Sequence, residues 1–174
     1  MLKEILKDSI IKELKLIKRL STKVPTDSLD FRPKENARSI IELLQYLSGA
    51  GTGMLLFWQS NETEARPFLM KLRENAPLVT LENAAAIFDA QIELVNEIFA
   101  SISEEDLATK VVSYPWGATD TLGKAILETS VKWLTGYKMQ LFLYIKQVSD
   151  LALSTPDLWR KNGGLIMVKL KKHF

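Results

Sequence analysis

The sequence contains no cysteine and only one histidine, His173. Without cysteine, the chain can form no disulfide, no thiolate nucleophile and no zinc–thiolate cluster. A single imidazole cannot complete a metal site built from several histidines, and because His173 lies next to the C-terminus we expect no usable base for the usual serine–histidine arrangement. The composition therefore excludes thiol-based chemistry and metal sites built from several histidines.

The chain also lacks a large excess of charge of either sign. The 23 Lys and Arg residues are nearly balanced by 21 Asp and Glu residues, which leaves a net charge of +2. A charge this small does not indicate a nucleic-acid partner or an anionic membrane. Residues 1–15 interleave Lys and Glu with apolar positions, unlike a signal peptide, and no run approaches the roughly 18 apolar residues that span a bilayer. We therefore expect a cytoplasmic protein with no nucleic-acid or membrane partner.

What the chain does have is four stretches of helical periodicity. Apolar residues recur at steps of three and four and predict helices over residues 2–20, 39–59, 81–102 and 119–148. The length of 174 residues, with 47% hydrophobic and 25% charged, suits one domain. The sequence predicts an all-α protein, a four-helix bundle over residues 1–160, in which ligand sites normally lie between the helices.

Two long connections separate the first three predicted helices. Residues 21–38 and 60–80 lack helical periodicity and are predicted to be surface loops, the second with at most one helical turn between Pro67 and Pro77. Within the second predicted helix, three small residues indicate close approach by another helix or a local kink. They are Gly49, Gly51 and Gly53.

The second half of the chain carries clear local signals. Thr80 is predicted to cap the third helix, and Ser103 with Asp106 predicts a capping box. Residues 111–121 favour an extended crossing, ending where Thr119 or Thr121 caps the fourth helix. Pro156 is expected to end regular structure, and residues 161–174 to form a separate tail that is an edge strand, a packing arm or flexible.

The fourth predicted helix is the longest, and one of its faces is predicted to point inward. That face consists of Leu122, Ile126, Thr129, Trp133, Tyr137, Gln140, Tyr144 and Val148.

Several strings resemble segments of DinB-like (DinB/YfiT-like) proteins, a superfamily of metalloenzyme-like four-helix bundles. In chain order these strings are DFRPKENARSIIELLQYL, SEEDL, PWGATDTLGKAI, YKMQLFLYIK and PDLW. The resemblance covers roughly residues 1–160. It implies a DinB-like four-helix bundle with long connections between the helices, and it suggests a homodimer.

Many DinB-like proteins bind a divalent metal through three histidines, one from the second helix and two spaced four apart in the fourth. The resemblance places these positions at Tyr46, Trp133 and Tyr137. Tryptophan has no lone pair to donate, and a neutral tyrosine with a pKa near 10 is a poor ligand. The resemblance therefore implies a degenerate metal site without a cofactor, which argues against the metal-dependent thiol transfer of the family.

The residues around this site leave three interpretations open. In the first, Glu42, Tyr46, Trp133, Tyr137 and Gln140 line a pocket for a small apolar or aromatic ligand. In the second, the aromatic side chains fill the former metal site as core. In the third, the protein is an enzyme with a non-histidine site, formed by Glu42 and Glu128 or by Glu42 as the acid–base partner of Tyr46. We expect a non-catalytic ligand-binding or interaction protein.

The four tryptophans are spread along the chain, one per segment. This spacing favours core or interface packing over a platform for stacking bases. They are Trp58, Trp116, Trp133 and Trp159.

Overall fold

Helices make up most of the protein, as predicted. The computed structural model describes residues 1–60 and 62–160, and in these residues the only strands form one short hairpin. The predicted tail, residues 161–174, and its His173 lie outside the described residues.

The first and third predicted helices are confirmed. They are α1 (Leu2–Ser21) and α5 (Leu81–Ser101), which pack against each other. The predicted cap of α5 is present, because the Thr80 side chain accepts a hydrogen bond from the backbone N–H of Asn83. Two apolar residues of the predicted α1 stripe, Leu2 and Ile5, are exposed in its first turn.

The second predicted helix is broken in two, so the prediction of one continuous helix is wrong. It forms α2 (Ile40–Ala50) and α3 (Gly53–Gln59). At the break the backbone approaches its neighbours closely: a methyl group on Gly51 would lie 3.2 Å from the side chains of Gln91 and Leu134. Gln91 donates a hydrogen bond from its side-chain amide to the carbonyl oxygen of Leu47 at 3.1 Å.

The stretch Ile40–Gln59 is also the only part of the described chain long and apolar enough to cross a membrane, with a mean hydropathy of 1.3. The prediction from the sequence was that the chain contains no such run. Over half of it, 56%, is buried inside the fold, and the core helix of a soluble protein passes the same test.

The prediction of a loop between Pro67 and Pro77 is wrong, because a helix forms there. This helix is α4 (Ala65–Glu74). Pro67 lies in its first turn, where the missing N–H would have no partner within the helix. The apolar side of α4 lies on α3, with the rings of Phe57 and Phe68 5.7 Å apart.

A short helix and a hairpin connect α5 to the last long helix. Ser103 and Asp106 form the predicted capping box of α6 (Glu104–Thr109). The predicted extended crossing is an antiparallel pair, β1 (Val111–Ser113) and β2 (Thr119–Thr121). Gly117, with a φ of 90°, allows the tight turn between the strands, because this backbone conformation is strained for other residues.

The fourth predicted helix begins at Leu122, after Thr121, and it is not uninterrupted. It consists of α7 (Leu122–Ile126), a π-helical turn (Leu127–Val131) and α8 (Lys132–Val148). The buried Thr129 donates a hydrogen bond to the carbonyl oxygen of Ala125 at 2.8 Å. A π-helical turn contains one more residue than an α-helical turn, so every later side chain is rotated by about 100° relative to a continuous helix.

Because of this rotation, the inward face of α8 is displaced by one residue from the predicted face. Leu122, Ile126 and Thr129, before or within the π turn, are buried as predicted. After it, Tyr144 is buried as predicted, but Trp133, Tyr137, Gln140 and Val148 are only partly buried. Four fully buried residues each follow a predicted position by one. These residues are Leu134, Lys138, Leu141 and Ile145.

Pro156 does not end regular structure, contrary to the prediction. It lies in the first turn of a short helix, α9 (Thr155–Trp159), where proline is tolerated. Ser154 and Asp157 form a capping box at its start. Helix α9 packs against α1 and α8.

Candidate functional site

Two tyrosines meet where α2 lies against α8. The rings of Tyr46 and Tyr137 are 4.5 Å apart between centroids, and the guanidinium of Arg38 lies 4.3 Å from the first centroid and 5.5 Å from the second. Burial, together with the neighbouring Tyr137, raises the pKa of Tyr46 to about 12, against the opposing charges of Arg38 and Arg73. The Tyr46 hydroxyl therefore keeps its proton at neutral pH and can donate a hydrogen bond.

Beside Tyr46, a cavity of about 430 Å³ opens between α2–α3 and α4. Its size falls within the range of small-molecule pockets. Glycines help to create the space, because a methyl group on Gly49 would meet no atom within 4 Å. We call this cavity the α4 pocket. Its lining includes Tyr46, Gly49, Met54, Leu69, Arg73 and Trp133.

An aromatic array borders the α4 pocket on the side of the hairpin. Trp133 lies 6.5 Å from Trp116, which stacks on Tyr114 at 4.6 Å, and Tyr114 in turn lies 6.5 Å from Trp58. The indole N–H of Trp58 donates to the carbonyl oxygen of Ser113 at 3.0 Å, which ties α3 to the hairpin. Three tryptophans that the sequence places in separate segments thus lie in one cluster.

The charge of the α4 pocket is of one sign. Its lining contains two arginines, Arg66 and Arg73, and neither Asp nor Glu. Among residues 1–60 and 62–160, neither these two arginines nor Arg38 has an ion-pair partner. Arg66 and Arg73 are not among the predicted site residues, because the sequence pattern of this segment predicts a loop. The apolar spacing of Phe68, Leu69 and Leu72 was the available signal for a helix.

Of the five predicted pocket residues, Tyr46 and Trp133 line the α4 pocket, and Tyr137 contacts the ring of Tyr46. Gln140 does not line it, because its side-chain amide donates to the hydroxyl of Tyr144 at 2.5 Å.

Glu42 does not line the α4 pocket either. Its carboxylate accepts a hydrogen bond from the backbone N–H of Ser39 at 2.8 Å and lies 3.4 Å from Arg32. The Ser39 hydrogen bond, with the charge of Arg32, lowers the pKa of Glu42. Glu128, its predicted partner in a carboxylate site, instead pairs with Lys132 at 2.5 Å.

A second cavity, of about 500 Å³, lies between α3 and α6. Its polar groups already serve the fold: Gln59 donates to Ser101 at 2.7 Å, Lys110 donates to the Trp58 carbonyl at 3.3 Å, and Asp106 caps α6. The two charged residues that line it, Lys110 and Asp106, are of opposite sign, whereas those of the α4 pocket are both positive, so the α4 pocket is the better candidate for a charged ligand.

A second group of charged side chains, Lys138 and Glu13, is buried in the fold. The ammonium of Lys138, with no exposed surface, lies 2.6 Å from a carboxylate oxygen of Glu13 and donates to the carbonyl oxygen of Leu158 at 2.9 Å. It also lies 4.1 Å from the centroid of the Trp159 ring. Burial lowers the pKa of Lys138, and the Glu13 carboxylate opposes that shift. We call this group the Lys138 cluster.

Metal-ligand groups are missing from the described part of the chain. Within it, no three His, Asp or Glu side chains lie close enough together to hold a metal ion. Neither a protein-family model nor a curated protein matches the sequence, so the DinB-like resemblance stays a prediction.

Proposed function

We propose that the protein is a DinB-like four-helix bundle that binds a small apolar or aromatic ligand in the α4 pocket and catalyses no reaction. The four helices would be α1, α2–α3, α5 and the α7–α8 segment. The contacts of α1 with α5 and α8, and of α2 with the same two helices, support this arrangement. The predicted homodimer and the cytoplasmic location stay predictions.

One observation carries the binding proposal, namely the cavity of about 430 Å³ lined by Tyr46, Trp133 and apolar side chains of α3 and α4. Apolar and aromatic walls with a few polar groups are typical of small-molecule sites. The half-buried Trp133 and the Tyr46 ring offer flat surfaces on which an aromatic ligand can pack.

The residues at the family's ligand positions also argue for binding without a metal. Tyr46 and Tyr137 occupy two of these positions and pack on each other beneath Arg38. The positive charge of Arg38 disfavours a divalent cation at this place.

The enzyme alternative, with Glu42 and Tyr46 as an acid–base pair, has less support. The pKa of Glu42 is lowered and that of Tyr46 is raised to about 12, so both shifts lead away from neutrality. A general acid or base works best when its pKa lies near the working pH. Glu42 is also engaged in capping α2.

A thermal-shift screen with small aromatic compounds tests the binding proposal. A ligand at about a hundred times its Kd adds about 2.7 kcal/mol to the free energy of unfolding. For a chain of this size, that raises the Tm by roughly 5–10 °C.

The Gly49→Met variant would fill the α4 pocket and should abolish the shift. Its matched control is Gly136→Met, because a methyl group on Gly136 also meets no atom within 4 Å and that residue does not line the pocket. The proposal fails if no compound stabilises the unmodified protein, or if Gly49→Met responds to the same compounds as Gly136→Met.

A further inference from the structure

The charges around the α4 pocket point to the chemistry of its ligand. Both charged residues of the lining, Arg66 and Arg73, are cationic. Arg38 adds a third guanidinium beside Tyr46, and within the described residues none of the three has a carboxylate partner. Water can solvate the exposed Arg66 and Arg73, but an anionic ligand would in addition pair with them through charge-assisted hydrogen bonds.

The lining of the α4 pocket is polar in one part and apolar in another. Arg73 and Arg38 both lie close enough to the Tyr46 hydroxyl for their charges to lower its pKa. Between α3 and α4 the wall is apolar, because Leu69 lies against Gly53, where an added methyl group would be 3.0 Å from a Leu69 methyl carbon. The lining therefore combines polar groups at Tyr46 and Arg73 with an apolar wall that includes Met54 and Leu69.

The two lining arginines cannot serve the same ligand group equally. Arg66 and Arg73 are seven residues apart on α4, a separation of about 10 Å along the helix axis. Of the two, Arg73 is the one whose charge contributes to lowering the pKa of Tyr46. An anionic group beside Tyr46 would therefore meet Arg73 and the protonated Tyr46 hydroxyl, with Arg66 farther along α4.

We propose that the α4 pocket binds a small monocarboxylate with an aromatic or branched apolar body. Its carboxylate accepts hydrogen bonds from Arg73 and the Tyr46 hydroxyl, and its body packs against Met54, Leu69 and Trp133. A planar guanidinium binds a carboxylate with two parallel hydrogen bonds, which gives orientation as well as affinity. This inference rests on the proposed binding function and adds the charge of the ligand.

Two probes of nearly equal shape separate charge from shape. They are 2-naphthoate, which carries a carboxylate, and 2-naphthamide, which is neutral, and their affinities for the full chain can be measured by titration calorimetry. We expect 2-naphthoate to bind at least about tenfold more tightly, because charge-assisted hydrogen bonds are roughly twice as strong as neutral ones. The difference should shrink as the salt concentration rises.

The variant Arg73→Gln should weaken 2-naphthoate binding about tenfold and change 2-naphthamide binding by less than about twofold. Lys71→Gln is the matched control, since it removes a positive charge from the same helix at a residue outside the lining. Arg66→Gln tests the placement and should have a much smaller effect than Arg73→Gln.

The outcomes separate this inference from the binding proposal on which it rests. If both probes bind equally and Gly49→Met abolishes both, the pocket stands and the carboxylate inference is overturned. If neither probe binds, or if Gly49→Met leaves 2-naphthoate binding intact, both proposals are overturned. A loss of 2-naphthoate binding in Arg66→Gln but not in Arg73→Gln would overturn the placement of the carboxylate.

Discussion

Lys138 and Arg73 are both cations on helices, but their surroundings differ. Lys138 has no exposed surface, and Glu13, the Leu158 carbonyl and the Trp159 ring surround its ammonium. Arg73 is exposed, lines a cavity and has no acidic partner in the described part of the chain. The first charge is fully compensated by the protein, and the second is available to another molecule.

This difference assigns the two groups to different tasks. A buried cation needs a counter-ion and hydrogen-bond acceptors, so its neighbours are fixed by the fold. Through Leu158 and Trp159, the Lys138 cluster also holds α9 against the rest of the protein. A cation at the rim of a pocket does not need a fixed partner, because water solvates it until a ligand arrives. We therefore expect substitutions in the Lys138 cluster to change stability and substitutions at Arg73 to change binding.

The largest effect is expected for Glu13→Gln, which leaves Lys138 buried without a counter-ion. Removing one member of a buried ion pair costs about 3–5 kcal/mol of unfolding free energy. Part of this loss is recovered if Lys138 gives up its proton, because burial already lowers its pKa. Urea unfolding monitored by circular dichroism would measure the change.

The double variant Glu13→Leu with Lys138→Met is the control for this prediction. It replaces both charges with apolar groups and should recover more than half of the lost free energy, because no buried charge remains. The contrast with Arg73 would break down if Glu13→Gln cost less than about 1 kcal/mol, the range of solvent-exposed ion pairs.

Arg38 is intermediate between the two cations, since the rings of Tyr46 and Tyr137 cover it without neutralising it. Arg38→Gln should lower the unfolding free energy by about 1 kcal/mol, the size of a partly desolvated cation–π interaction. Arg32→Gln, which removes an exposed pair with Glu42 at 3.4 Å, should cost less than about 0.5 kcal/mol. Equal losses in the two variants would mean that the tyrosine rings add nothing to the stability provided by Arg38.

Acid should loosen α9 through Asp157. Burial alone would raise the pKa of this residue, but the Ser154 hydrogen bonds and the charges of Lys23 and Arg19 lower it below its ordinary value of 3.8. A carboxyl whose pKa is lower in the folded state stabilises the fold above pH 3.8, and this contribution is lost as the pH falls through the folded-state pKa.

Asp157→Asn should remove about 1 kcal/mol near neutral pH, the size of a helix cap, and less in acid. The measurement is the unfolding free energy of both proteins from neutral pH down to a pH below 3.8. A difference that stays constant down to low pH would contradict the assignment to the Asp157 carboxylate.

The sequence predicted where the long helices lie and the caps at Thr80 and Ser103, because their signals are local. It did not predict the break between α2 and α3 or the π turn between α7 and α8. As a result, the predicted face of α8 is displaced by one residue, and Lys138 was not recognised as buried. Tyr46 and Trp133 were identified by the resemblance, and both line the α4 pocket.

The rest of the candidate site could not be predicted for two reasons. Pro67 and Pro77 were interpreted as loop signals, although a proline in a first turn is compatible with a helix, and this hid Arg66 and Arg73. Glu42 was placed in the pocket from its position in the predicted helix, but its carboxylate is turned toward Ser39 and Arg32. Which way a side chain turns on a partly exposed helix depends on neighbours that are distant in sequence.

The smallest stability effect is expected for Arg73→Gln, the variant that should weaken 2-naphthoate binding. Because Arg73 is exposed and has no ion-pair partner in the described residues, its loss should change the unfolding free energy by less than about 0.5 kcal/mol. At low salt the variant should be slightly more stable, since one of the two positive charges that act on Tyr46 is removed, and this gain should vanish at high salt. Urea unfolding without ligand at two salt concentrations measures both effects. A loss above about 1 kcal/mol would show that Arg73, like Lys138, holds the fold together, and it would no longer be a charge reserved for a ligand.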